Sequence, residues 1–105
     1  MAGLDRAFAA LSDPTRRRVL RLVASRPRAA GEIAEAFPVT RPAVSKHLRV
    51  LREAGLVEAE QSGRTRIYRL RPGGIAEARR WMDDAERLWD RALESFRRRV
   101  EEVGG

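Results

Sequence analysis

Apolar residues recur along the chain at helical spacing in some stretches and at strand spacing in others, with turn-forming residues between them. Leu4, Ala7, Phe8 and Leu11 stand at i, i+3, i+4 and i+7, which predicts a short helix over Leu4–Leu11. Ser12-Asp13-Pro14 ends it and begins a second, because a capping side chain followed by Pro suits a helix start. The second helix runs from about Pro14 to Ala24, with Val19, Leu20, Leu22 and Val23 on its apolar side. Arg16, Arg17, Arg18 and Arg21 coat the rest, a charge run of the kind that ordinarily marks a solvated face. Arg26-Pro27-Arg28 is a break, and Ala30-Gly31-Glu32 opens a third short helix carrying Ile33, Ala34 and Phe37, which Pro38 ends.

The stretch Val39–Gly55, VTRPAVSKHLRVLREAG, predicts an amphipathic helix capped at both ends. Thr40 is a good N-cap, Pro42 is tolerated in a first turn, and Gly55 takes a left-handed C-terminal turn without a Cβ penalty. Val44, Leu48 and Leu51 share one stripe that faces a core. Arg41, Ser45, Lys46, Arg49 and Arg52 occupy the other side, a face suited to an electronegative partner. Phosphate attracts the cations, and Arg, Lys and Ser also hydrogen-bond base edges in a major groove. With the short helix before it, this helix makes a helix-turn-helix pair.

After Gly55 the period changes from helical to alternating. Leu56–Gln61 and Thr65–Leu70 read as strands joined by a turn at Ser62-Gly63-Arg64, hence a β-hairpin. Arg64 and Arg66 lie at its tip and return strand, where a wing meets backbone phosphates or a minor groove; Arg69 is as readily a solvated charge.

Pro72-Gly73-Gly74 separates the hairpin from a last helix, roughly Ile75–Glu102, with no internal Gly or Pro. At 1.5 Å per residue it is about 40 Å long, more than the rest of such a domain is wide. Ile75, Met82, Trp89, Phe96 and Val103 recur every seven residues, Ala78, Ala85 and Ala92 are offset by three, and Trp81 and Leu88 widen the stripe. A helix that overshoots its domain and stays apolar along one side needs a second surface, which a two-fold copy supplies. The expectation is a homodimer whose interface takes Leu4 and Phe8 from the first helix and Ile75, Trp81, Met82, Ala85, Trp89, Ala92 and Phe96 from the last.

Composition narrows the partners. The 105 residues carry a net charge of +7, a balance that favours double-stranded DNA or another polyanion, although Lys46 is the only Lys and arginine is so abundant that each one is a diluted clue. There is no cysteine, so disulfides, thiolate metal sites and thiol redox sensing are excluded. No apolar run is long enough to cross a membrane and no secretory h-region begins the chain, so a soluble cytoplasmic protein is expected. With a single His and no nucleophile–base pair, neither an enzyme nor a cofactor is expected.

The strings Ala10–Leu20 (ALSDPTRRRVL), Arg41–Val57 (RPAVSKHLRVLREAGLV), Gly63-Arg64 and Tyr68 together resemble the ArsR family of bacterial winged-helix repressors. The resemblance implies a mainly α fold with a small β-hairpin, organised as one winged helix-turn-helix domain over residues 1–105. Residues 1–12 and 74–103 are then dimerisation helices, 30–55 the helix-turn-helix and 56–71 the wing. It also implies repression from a (pseudo)palindromic operator. The groove-facing positions of the family fall on Arg41, Pro42, Ser45 and Lys46, with Thr40 at the helix start, His47 beside them, and wing contacts on Arg64 and Arg66; Arg49 joins them from the helix pattern. His47 resembles a helix-anchoring or phosphate-contacting residue more than a metal ligand.

The metal-sensing members use a cysteine pair on the third helix or His with carboxylates on the last. Here the third helix reads GEIAE, and the last holds Asp83, Asp84 and Glu86 without His, so no metal site is expected and the chain resembles the metal-independent branch. Two alternatives remain. One is a ligand- or metal-responsive sensor repressor with an effector site at the dimer interface near Trp81, Met82 and Trp89; the other is a protein-interaction module whose DNA binding is vestigial.

Overall fold

The structure, a computed structural model, describes residues 2–104. In chain order the elements are α1 (Ala2–Leu11), α2 (Pro14–Ser25), β1 (Arg28–Ala29), α3 (Ala30–Glu35), α4 (Arg41–Glu53), β2 (Val57–Ser62), β3 (Thr65–Leu70) and α5 (Ala76–Gly104). They divide into two compact units, one ending at Ile75 and the other formed by α5.

In the first unit, the apolar sides of the helices close over one face of a small sheet. Val19, Val23, Ile33, Val44, Leu48, Leu51, Leu56, Val57 and Tyr68 form the core, with Ala7 and Ala10 of α1 packed among them. The three residues that the sequence pattern assigned to the inner stripe of α4 are all in this core. No buried polar or charged residue occurs among the described residues, so burial of apolar area carries the packing at roughly 25 cal/mol per Å².

Helix ends follow the local chemistry. The Asp13 carboxylate accepts from the Arg16 backbone N–H at 3.0 Å and caps α2 just ahead of Pro14. Thr40 Oγ1 accepts from the Ala43 N–H at 3.3 Å and caps α4. At the other end of α4, Gly55 takes φ +74°. Its N–H bonds the Arg52 carbonyl and the Leu56 N–H reaches back to the Leu51 carbonyl, both at 3.0 Å, which is the Schellman pattern, and the buried side chains of Leu51 and Leu56 supply the apolar contact that goes with it.

The sheet holds one strand more than the predicted hairpin. β3 is central, in the order β1-β3-β2, with both pairings antiparallel. The stretch expected as a plain break leads into β1, where Arg28 pairs with Tyr68 and Ala29 with Ile67. Two residues carry no period, so alternation could not reveal them. The hairpin is otherwise close to expectation, with β2 shifted by one residue and Ser62 opposite Thr65, which leaves Gly63-Arg64 as the turn. Gly63 has φ +61° and no described non-glycine residue has positive φ, the signature of a type II′ turn with Gly at its first central position.

One helix is shorter than predicted. α3 stops at Glu35, and the Ala36 N–H closes it onto the Glu32 and Ile33 carbonyls. Phe37 therefore lies outside the helix, because a residue before Pro is pushed out of the α region. It is half-buried against the core, with the Arg18 guanidinium 5.0 Å from its ring centre.

The second unit is α5, 29 residues and about 43 Å of helix. It begins one residue later than expected and runs two residues further.

Candidate nucleic-acid interface

The helix-turn-helix pair is α3 and α4, joined by Ala36–Thr40. Burial of Val44, Leu48 and Leu51 fixes the roll of α4 about its axis, so Arg41, Pro42, Ser45, Lys46, Arg49 and Arg52 are all exposed on the other side, and the N-cap Thr40 is exposed with them. Arg41, Lys46, Arg49 and Arg52 make no ion pair among the described residues, which leaves four cations and one hydroxyl on the solvated face. The Arg41 guanidinium passes over α3 at Gly31, where a Cβ would stand 3.6 Å from it. A side-chain methyl there would only touch the arginine at ordinary van der Waals distance, so the guanidinium lies against the positioning helix without needing the glycine.

His47 points elsewhere. Its side chain is only 19% exposed, with Nδ1 3.4 Å from Arg16 Nη1 and 4.0 Å from an Asp13 carboxylate oxygen. Arg16 also donates from Nε to the Ala10 carbonyl at 2.8 Å and from Nη2 to the Ala9 carbonyl at 3.0 Å. One guanidinium thus fastens the end of α1, the start of α2 and the inner edge of α4. The Arg16 N–H bond, with help from the Arg16 and His47 side chains, holds the Asp13 carboxyl below the usual carboxylate range. His47 is an anchor for the helix, one of the two roles that the family resemblance implied for it, and is set apart from the exposed residues beside which the sequence grouped it. Asp13 and Arg16 were legible as a cap and a surface charge, but a clamp joining residues 31 positions apart has no local signature.

In the wing, the type II′ turn places Arg64 at the tip and the strand places Arg66 two residues on; both are exposed and neither pairs with a carboxylate among the described residues. Arg69 differs. It donates to Glu58 at 2.9 Å and to Glu60 at 2.7 Å, and these two bonds raise its pKa further. The two glutamates of β2 cancel one arginine of β3 and leave the tip positive.

On α5, the residues expected at a dimer interface are open: Trp81 is 51% exposed, Met82 55%, Trp89 70% and Phe96 65%. Ile75, ahead of the helix, and Ala92 are also exposed, and Ala85 is half-buried. Leu93 and Val100, absent from the expected set, extend the same stripe as the i+4 neighbours of Trp89 and Phe96 and are equally open. α1 departs from expectation. Leu4 is only 8% exposed in the single chain and Phe8 is half-buried, so Leu4 has little surface left to offer a second copy. Among the described residues, no three His, Cys, Asp or Glu side chains gather as a metal site, and no helix is long and apolar enough to cross a membrane.

Known proteins carry the same arrangement. Residues 11–60 match the family described as "Helix-turn-helix domain". The HTH-type transcriptional regulator Rv2034 of Mycobacterium tuberculosis is 44% identical over 100 residues, 95% of this chain and 91% of that protein. The transcriptional repressor SdpR of Bacillus subtilis is 34% identical over 79 residues, 75% of this chain and 88% of its own. Among solved structures, an ArsR-like transcriptional regulator from Rhodococcus sp. RHA1 superposes with a TM-score of 0.78 at 36% identity, covering 90% of each chain. The homodimeric winged helix-turn-helix DNA-binding domain Mb0332 of Mycobacterium bovis gives 0.64 at 28% identity, covering 85% of this chain and 80% of that one. On the extent of these matches and the helix-turn-helix geometry beneath them, this chain belongs to the ArsR family of helix-turn-helix transcriptional regulators.

Proposed function

We propose that this protein is a sequence-specific DNA-binding transcriptional repressor that acts as a homodimer on a palindromic operator. The observation that carries the reading is the division of α4, with one face locked in the core and the other bearing four cations without acidic partners. Arg41, Ser45, Lys46 and Arg49 read the major groove, with Thr40 and Pro42 setting the entry of the helix, and Arg64 and Arg66 hold phosphates or an adjacent minor groove. The exposed stripe of α5 pairs with its copy, which sets two recognition helices about one turn of DNA apart. The two units of the chain then serve as one protomer, acting in the cytoplasm without catalytic activity.

The repressor SdpR and the homodimeric domain Mb0332 support this reading as relatives. The test is fluorescence anisotropy on DNA from upstream of the protein's own gene, against scrambled DNA of the same length. Binding at least about a thousandfold tighter to the upstream DNA is expected at physiological salt; equal affinity for both would overturn sequence-specific repression.

A further inference from the structure

An open cleft of about 550 Å³ lies on the first unit, within the size range of small-molecule sites. Its walls are apolar: Leu20 and Ala24 of α2, Leu56 after α4, Leu70 at the end of β3, and Pro72 and Ile75. Leu70 and Ile75 are 42% and 56% exposed, an unusual state for large aliphatic side chains lining a concave surface. The polar groups of the lining are two arginines, Arg21 and Arg71, and neither pairs with a carboxylate among the described residues. An apolar hollow whose charged groups are both guanidinium calls for an apolar molecule with an anionic end.

The rim of the cleft is built into the end of α4. Arg71-Pro72-Gly73-Gly74 forms a tight turn, with the Gly74 N–H bonded to the Arg71 carbonyl at 3.0 Å and Gly73 at φ +74°. The Arg71 N–H donates to the Leu56 carbonyl at 3.1 Å. Gly74 sits so close to Gly55 that a Cβ on it would stand 2.7 Å from the Gly55 carbonyl oxygen, and Arg71 Nη1 lies 2.8 Å from where a Cβ on Gly55 would be. Residues that line the cleft therefore pack directly on the turn that closes α4.

We propose that this cleft binds a small amphipathic organic acid, its apolar body against Leu20, Leu56, Leu70 and Ile75 and its carboxylate paired with Arg21 and Arg71, and that occupancy alters operator affinity through the Gly55 cap. The second half rests on the DNA-binding reading above; the first does not.

The full-length protein, labelled on its Leu and Ile methyl groups and free of DNA, is titrated with octanoate and separately with octan-1-ol, followed by NMR. Saturable shifts at Leu20, Leu56, Leu70 and Ile75 are expected, with octanoate about fivefold tighter than the alcohol. Arg21→Gln and Arg71→Gln should each remove most of that preference while leaving the spectrum folded. Equal affinity for acid and alcohol, an unchanged preference in both variants, or shifts confined to Leu88 and Leu93 of α5 would overturn the site. So would a silent cleft, the result expected if a second copy covers it. Operator affinity is then measured with and without saturating octanoate; a change of at least about threefold supports the coupling, and none overturns that half alone.

Discussion

α4 and α5 are both amphipathic, both rich in arginine and both free of internal glycine, yet they end in opposite situations. In α4 the apolar stripe is satisfied inside the chain, with Val44, Leu48 and Leu51 at most 3% exposed, and the cationic face is open. In α5 the apolar stripe itself is open from Trp81 to Val103. Amphipathicity says that a helix has two faces; what buries the apolar one decides whether the helix presents charge or seeks a copy of itself. That contrast is the basis for proposing DNA as the partner of α4 and a second copy of the chain as the partner of α5.

Leucine truncation provides the sharpest way to break the comparison. Leu51→Ala, in the core, should cost about 2–5 kcal/mol in urea unfolding at every protein concentration. Leu93→Ala on α5 should stay within about 0.5 kcal/mol in the dilute monomer. Its effect should emerge as concentration rises, seen in sedimentation as weaker dimerisation. Leu93→Ala losses that ignore concentration would place the α5 stripe inside the chain and remove the distinction.

The charged side of α4 is tested next. Lys46→Ala should relax preference for the upstream DNA by about 1–3 kcal/mol, whereas Arg64→Ala should weaken all sequences alike and reduce the salt slope by about one. If Lys46→Ala left the ratio of upstream to random DNA unchanged, Lys46 would not read bases. Arg69→Ala should alter the salt slope less than Arg64→Ala, because Glu58 and Glu60 already neutralise Arg69.

A smaller loss is expected at the entry to α4. Thr40→Ala removes the side-chain acceptor of the Ala43 N–H and should cost about 1 kcal/mol in thermal or urea unfolding, while Thr40→Ser should restore most of it. Where both variants match the natural protein, the cap contributes nothing measurable.

The smallest effect is acid sensitivity. The hydrogen bond from the Arg16 backbone N–H, helped by the charge of the Arg16 side chain, holds the Asp13 carboxyl below its usual range, and the Ala29 N–H, then the Arg26 side chain, do the same for Glu32. Both groups bind protons more weakly folded than unfolded. Their stabilisation is thus complete above the unfolded carboxylate pKa and is lost as pH falls through the folded values. Asp13→Asn keeps a capping side chain without the titration, so its stability should fall less steeply between neutral and acid pH. An identical acid slope in the two proteins would remove Asp13 from the clamp on α4.

Much of the fold was legible because local chemistry declares itself. Thr40 and Gly55 mark the ends of α4, Asp13-Pro14 starts α2, Gly63 marks the hairpin turn, and an apolar column recurring every seven residues marks α5. Each signal acts over a few residues, where propensity, capping and backbone freedom operate without tertiary help. The exposed face of α4 follows from the same pattern, since placing Val44, Leu48 and Leu51 inward leaves Arg41, Ser45, Lys46 and Arg49 outward.

Tertiary structure alone decided what depends on meetings between distant residues. β1 exists because β3 offers it an edge, although two residues carry no period of their own. Phe37 leaves α3 for a place beneath Arg18, and Leu4 is already covered in the single chain. His47 and Arg69 were cations or near-cations in the sequence like their neighbours. The chain's return beside Asp13 and Arg16 selected anchoring from the two roles that the family resemblance gave His47, helix anchor or phosphate contact, and the register that brings Glu58 and Glu60 against β3 neutralised Arg69. A sequence records which charges exist, but which remain available to a partner is settled by distances of 3 to 4 Å that only the folded chain sets.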